Sequence, residues 1–188
     1  MNETKTPSFL PERMQILSGS ALKVIAILIM LIDHTAAILL LNWPEAMEPW
    51  FSAFGRSYSL YRVCRDVGRL AFPIFCFLLV EGFMHTRNRF KYGRNLLIFA
   101  CISELPWNFM GTDTWRYERQ NVFFTLFLGY VAFCAIEYFR EQQLLQVISM
   151  LIVLAVSYFL NADYGWRGYV FLLIMYWFRY YKPAQAII

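Results

Sequence analysis

An apolar run from Lys23 to Leu41 constrains this chain more than any other part of its sequence. After Lys23 its only polar residues are Asp33, His34 and Thr35, and a helix of this length, rising about 1.5 Å per residue, can cross roughly 30 Å of hydrocarbon. The run therefore predicts a membrane-spanning helix. A charge inside a span costs ~2.5–3.5 kcal/mol on insertion scales, so ionisable residues there usually face a bundle interior or a watery cavity. We expect Asp33 and His34 to belong to a functional site.

Composition places the whole chain in the membrane class. Of its 188 residues, 59% are hydrophobic and 16% charged, whereas soluble domains average about 45–50% and 25%. The net charge of +4 does not indicate nucleic acid, because the basic residues stand in short clusters beside apolar runs and no nucleic-acid motif accompanies them. The four cysteines lack paired spacing, so we expect them to be packing residues rather than zinc ligands or disulfides.

The apolar runs predict an all-α fold, a polytopic transmembrane helical bundle of about six spans. We expect a cytoplasmic tail at 1–20, a single transmembrane domain at 21–182 and a short tail at 183–188. The predicted spans cover residues 23–41, 69–85, 95–109, 121–139, 144–160 and 165–181. Several of them are short for a bilayer. A cleaved signal peptide is disfavoured for the first, since its apolar part is too long and contains an acid and a histidine.

Basic residues orient the predicted bundle. With the N-terminus inside, ten of the 17 Lys and Arg residues fall on the cytoplasmic side and seven on the other, and a dense cluster follows the second span. This bias favours a cytoplasmic N-terminus. The arginines after Thr86 are most simply topology determinants that also attract anionic membrane lipids.

Lys23 and His34 share one side of the predicted first helix. They are eleven residues apart, which at about 100° per residue aligns them, roughly 16 Å apart along the axis. A neutral imidazole in a water-poor site can accept a proton from an amine or hydroxyl or carry an acyl group, and a surface cation can hold a phosphate-rich donor. The pattern therefore favours acyl transfer, although His34 could instead only hydrogen-bond across helices. Asp33 points about 100° away, and we expect it to pair with Arg69.

Other polar residues beside the spans have competing interpretations. Glu81 and His85, four residues apart, indicate a local acid–imidazole hydrogen bond rather than a metal site, since no third ligand is near in sequence. Glu104 precedes Pro106, where it could hold freed backbone donors or bind an incoming amine. Asn121 opens the fourth predicted span and could cap it or contact substrate.

Five blocks of the sequence, taken in order, resemble the TraX family of membrane proteins. They are LKVIAILIMLIDHT, GRLAFPIFCFLLVEGFMHTRNR, ISELPW, QNVFFTLFLGY and ADYGWRGYVFLLI, and together they extend over about residues 22–176. Any one block is weak evidence, but the ordered series is specific. The family is named for a conjugative pilin acetylase. The resemblance therefore implies an integral membrane acetyltransferase that uses cytoplasmic acetyl-CoA, in a bacterial cytoplasmic (inner) membrane.

The resemblance also implies roles for individual residues. Lys23 with His34 is similar to the motif of the acyltransferase-3 proteins, a basic residue and a histidine separated by ten residues, which puts His34 in the catalytic role beside Asp33 and Lys23 near the CoA phosphates. Arg87 and Arg89 are further candidates for the CoA pyrophosphate. The residues expected to line the site and meet substrate are Arg69, Glu81, Glu104 and Asn121.

We therefore expect an enzyme that transfers an acetyl group to an amine or hydroxyl, such as a peptide or pilin N-terminus or an envelope glycan, without a metal. The alternative is a non-enzymatic membrane protein, either a proton-coupled transporter with Asp33, His34 and Glu104 as its relay or an envelope or pilus assembly factor. Relatives continue past the sixth apolar segment, so a homodimer could supply missing walls. The acceptor, the oligomeric state, whether the chain is naturally short, and the choice between base and acyl carrier for His34 stay open.

Overall fold

The computed structural model describes residues 18–53, 55–111 and 119–180, with the backbone alone for residues 110 and 111. The chain divides into two units, residues 1–78 and residues 79–188. The first unit contains, in order, α1 (Gly19–Ile38), a 3-10 turn (Leu40–Asn42), α2 (Pro44–Met47), β1 (Pro49–Ala53), β2 (Arg56–Ser59), α3 (Leu60–Gly68) and the start of α4 (Ala71–His85). The second completes α4 and adds α5 (Arg89–Gly111), α6 (Val122–Tyr138), α7 (Gln143–Leu160) and α8 (Gly165–Trp177).

Helix α1 is unbroken and packs against α3 along one face. Ser18 is its N-cap, and the Ser18 hydroxyl accepts a 3.1 Å hydrogen bond from the amide of Ala21. Ala26 and Ala36 are fully buried, while much of the remaining surface of α1 consists of exposed isoleucine and leucine. An exposed apolar surface of this kind is expected of a helix in lipid.

A small antiparallel sheet follows α2, so the all-α prediction is wrong for this segment. Strands β1 and β2 pair with Phe51 opposite Tyr58, whose rings stack with centroids 5.0 Å apart. Gly55, with φ of 73°, allows the turn between the strands. Residues 42–68 lie between the first two predicted spans and contain no long apolar run, so their sequence predicts no span there.

Helix α6 is the centre of the second unit. It contacts α5, α7 and α8, and its residues Leu128 and Ala132 form a core with Val153 and Tyr169. Gly129 lets α8 approach closely, since a Cβ at this position would collide with the side chain of Leu172. Small residues at helix contacts are the usual means of close packing between membrane helices.

Tyrosine hydroxyls tie the helices of this unit together. Tyr130 donates a 2.5 Å hydrogen bond to the carbonyl of Arg89, at the start of α5, and Tyr169 donates one of 3.0 Å to the carbonyl of Met150 in α7. Buried tyrosines usually find such partners. The hydroxyls therefore fix the contacts of α6 and α8 with their neighbours in addition to the ring packing.

Three helical stretches in the described part of the chain are long and apolar enough to cross a membrane: Gly19–Asn42, Leu60–His85 and Gln143–Leu160. Val122–Tyr138 is apolar but shorter. The prediction of about six spans is thus not confirmed, since α8 has only 13 residues and α5 has a low mean hydropathy because it contains charged residues. The second stretch begins at Leu60 and not at residue 69, because α3 leads directly into α4. Of the predicted tails, only residues 18–20 are described: Ser18 is the N-cap of α1, and Gly19 and Ser20 belong to that helix.

Candidate functional site

Asp33 of α1 forms an ion pair with Arg65 of α3. Arg65 Nη1 donates to Asp33 Oδ2 over 2.5 Å, and the two side chains are 32% and 20% exposed. Hydrogen bonds between two charged groups are short and roughly twice as strong as neutral ones. This pair therefore fixes the rotation of α1 relative to α3 at the level of His34.

The predicted partner of Asp33, Arg69, is the wrong arginine. Arg69 caps the end of α3, its side chain is 70% exposed, and its nearest acid is Asp66 at 3.5 Å. Gly68 explains why Arg65 and not Arg69 pairs with Asp33. It lies directly against Asp33, and a Cβ at position 68 would collide with the Asp33 side chain. The carboxylate thus lies beside the last turn of α3, where Arg65 reaches it.

His34 is held by the backbone of its own helix. Its Nδ1 lies 2.9 Å from the carbonyl oxygen of Met30, and because a carbonyl can only accept, Nδ1 must be the donor. In the neutral ring the lone pair is therefore on Nε2. Asp33 Oδ2 is 3.9 Å from Nδ1, which is too far for a hydrogen bond. The His34 side chain is 30% exposed.

Lys23 lies exposed on the N-terminal half of the same helix. Because α1 runs without a break from Gly19 to Ile38, the predicted alignment of Lys23 with His34 along one side holds, at roughly 16 Å of axial separation. The first unit thus contains the cation, the imidazole and the Asp33–Arg65 pair on two adjoining helices.

Glu104 and Asn121 form a second polar cluster, in the second unit. Glu104 Oε2 accepts from the Asn121 backbone amide at 3.1 Å and from its side-chain Nδ2 at 2.7 Å. Asn121 Nδ2 also donates to the carbonyl of Ala100, and its Oδ1 accepts from the amide of Phe123 at 2.9 Å. The N-cap prediction for Asn121 is confirmed. Glu104 does hold a backbone donor, but that of α6 and not one of its own helix.

Glu81 and His85 are adjacent, with a different bond from the predicted one. His85 Nδ1 donates to the backbone carbonyl of Glu81 at 2.9 Å, whereas the Glu81 carboxylate is 3.8 Å away. Within residues 18–53, 55–111 and 119–180, no three His, Cys, Asp or Glu side chains lie together in a way that could hold a metal ion.

Arg87 and Arg89 differ in their surroundings. Arg87 is exposed in the short connection between α4 and α5. Arg89 opens α5, and its guanidinium carbon lies 4.6 Å from the ring centroid of Phe83, within the range of a cation–π contact. Arg89 is thus partly fixed by packing, and Arg87 is not.

Arg65 was not among the predicted site residues. A signal existed for Arg65: Ser59 is a good N-cap residue and accepts from the amide of Arg62 at 3.3 Å, which would have placed Arg65 on a helix.

Long apolar helices that hold ionisable side chains between them define a helical membrane protein. The family described as TraX protein matches residues 18–187, and the chain belongs to the TraX family, as its sequence blocks predicted.

A curated relative supports this assignment. The "Probable fimbrial assembly protein FimC, serogroup H1" of Dichelobacter nodosus is 32% identical over 179 residues, which is 90% of this chain. The chain spans 66% of that relative's length. No solved structure matches the chain.

Proposed function

We propose that the protein is a membrane acetyltransferase that moves an acetyl group from cytoplasmic acetyl-CoA to an amine or hydroxyl, such as a peptide or pilin N-terminus or an envelope glycan. The observation that carries the proposal is His34, a partly exposed imidazole whose Nδ1–H is fixed by the carbonyl of Met30. Membership of a family associated with pilin acetylation supports it. We further propose that the protein lies in the bacterial inner membrane with its N-terminus in the cytoplasm.

His34 Nε2 is the reactive atom in this proposal. Bound acetyl-CoA supplies the acyl group as a thioester. His34 Nε2 accepts the proton that the acceptor amine or hydroxyl loses on acylation and then gives it up toward the leaving sulfur. As an acyl carrier, His34 would use the same lone pair as a nucleophile. Both roles require the tautomer that the hydrogen bond to Met30 favours.

Asp33 and Arg65 act as positioning residues. The Asp33 carboxylate, 3.9 Å from the ring, stabilises the imidazolium that forms during proton transfer. Arg65 holds that carboxylate in place through the 2.5 Å bond. A carboxylate left without this partner in a partly buried position would be costly.

Lys23 is suited to the phosphates of the donor. It is an exposed cation on the same side of α1 as His34, and the extended pantetheine arm of CoA separates phosphates from thioester. Arg69 keeps its proposed place in the lining of this site. The phosphate roles of Arg87 and Arg89 and the substrate role of Glu81 stay predictions from the sequence. Asn121 is a weaker substrate contact than expected, because its amide already bonds Glu104, Ala100 and Phe123.

The test uses the purified protein in lipid nanodiscs, supplied with acetyl-CoA and with a peptide that has a free N-terminus. Turnover is measured as release of the CoA thiol and as formation of the acetylated peptide. We expect His34→Ala and His34→Gln to lower turnover at least a hundredfold, since general base catalysis contributes roughly 10²–10⁴-fold. His85→Ala is the matched control, because His85 also donates Nδ1–H to the carbonyl four residues earlier. Equal turnover in the His34 variants would remove His34 from the reaction.

A second candidate is a non-enzymatic role in building a fimbria or pilus. The printed name of the Dichelobacter nodosus relative favours it. In this case His34→Ala would leave surface assembly of the fibre unchanged in cells, and acetyl-CoA would not be consumed. Proton-coupled transport, the remaining alternative, predicts pH-driven uptake into liposomes without CoA.

A further inference from the structure

Two buried oxygen atoms on one face of α5 lack a hydrogen-bond donor. They are Oε1 of Glu104 and Oδ1 of Asn108, and no donor among the described residues reaches either. The residues are four apart on a continuous helix, so their side chains are neighbours, one turn apart on the same face. The two unpaired acceptors therefore belong to one place on the protein.

The other oxygen of Glu104 is fully engaged. Oε2 accepts hydrogen bonds from both the backbone amide and the side-chain amide of Asn121, and these bonds orient the carboxylate. Trp107, on the same face, donates its indole N–H to the carbonyl of Arg119 at 2.7 Å. This face of α5 is thus held against the chain that leads into α6.

Unpaired buried acceptors are rare in folded proteins, and each costs the desolvation free energy of the group. The cost is larger for a carboxylate oxygen than for a neutral one. A ligand that removes this cost must carry N–H or O–H donors, and a positive charge suits the carboxylate. With two acceptors one helical turn apart, the ligand needs at least two donors on a small group.

We propose that Glu104 and Asn108 form a binding site for a primary ammonium group. Such a group has three N–H donors and one positive charge, and it can bond both oxygens at once. A metal ion fits less well, because two oxygens are too few ligands for a hard cation. Both side chains are only half-buried, so the site lies at the margin of the fold. The inference does not depend on acetyl transfer.

The probe is n-propylammonium, added to the full-length protein in nanodiscs without amine-bearing lipids, with binding measured by calorimetry and by the shift of the thermal midpoint. We expect saturable binding that tetramethylammonium, which has the charge but no N–H donor, does not reproduce. Glu104→Gln should weaken binding at least tenfold, because the new amide can still accept from Asn121 while it directs its NH₂ group to the ligand. Asn108→Leu should weaken it to a smaller extent.

Glu141→Gln is the control, since Glu141 is an exposed acid in the same unit, paired with Arg140. Equal binding of the two ammonium ions, or unchanged binding in a Glu104→Gln variant that keeps the parent thermal midpoint, would overturn the proposal. Competition by a short peptide with a free N-terminus, but not by its N-acetylated form, would identify a peptide terminus as the source of the ammonium group. Competition by ethanolamine-headgroup lipid would identify a lipid. Either source supports the site.

Discussion

Arg65 Nη1 of α3 and Asp33 Oδ2 of α1 lie 2.5 Å apart. The ion pair joins two helices that are separated in sequence by the β1–β2 hairpin. Because the pair is partly exposed, we expect it to orient α1 relative to α3 more than it adds to the free energy of unfolding. Because His34 is the next residue after Asp33, the same bond sets where the imidazole lies. Any change that breaks this pair should act on the position of His34.

Arg65→Ala should lower the free energy of unfolding by about 1.5 kcal/mol, since a hydrogen bond to a charged group is lost and Asp33 keeps no equivalent donor. Arg69→Ala is the matched control and should change it by less than about 0.5 kcal/mol, because its pair with Asp66 is solvent-exposed. SDS titration in mixed micelles measures both. Equal effects of the two variants would mean that Arg65 has no special role.

Gly68→Ala should destabilise the first unit. The added Cβ would collide with the side chain of Asp33, and overpacking of this kind costs about 1–3 kcal/mol. Gly19→Ala provides the comparison, because a Cβ there meets no atom within 4 Å. We expect the thermal midpoint to fall for the first variant and to stay or rise slightly for the second. A Gly68→Ala protein as stable as the parent would contradict the close approach of α3 to α1.

Asn121→Ala and Asn121→Ser should separate the two functions of this side chain. Alanine removes the cap, at about 1 kcal/mol, and also the side-chain donor to Glu104, at about 1.5 kcal/mol. Serine keeps a capping oxygen for Phe123 and loses only the donor, so the serine variant should be the more stable of the two. Unfolding free energies of both variants provide the measurement, and an inverted order would show that the cap contributes nothing.

The proposed orientation predicts opposite labelling at the two ends of the stretch Leu60–His85. In a cysteine-free background, Ser52→Cys should react with a membrane-impermeant maleimide in intact spheroplasts, and Arg87→Cys only after permeabilisation. The reason is that positively charged connections are retained in the cytoplasm. Both sites should react in permeabilised membranes, which controls for local exposure. The reverse pattern would place the N-terminus outside.

Local features of the fold were predictable because they depend on neighbouring residues. The first apolar run, the alignment of Lys23 with His34 and the cap at Asn121 follow from helical periodicity and capping chemistry. Family membership was also readable, since it depends on the order of the blocks. The hairpin was missed because its short strands have no strong periodic signal.

The sequence by itself determined that this is an apolar helical protein with Asp33 and His34 inside its first long helix, because hydrophobicity and a fixed helical period act over a few residues. The tertiary structure alone decided that Arg65 and not Arg69 pairs with Asp33, and that Glu104 meets Asn121. Partners far apart in sequence are selected by the rotation and depth at which helices pack. Here a glycine at position 68 sets that contact, and no spacing within a single helix encodes it.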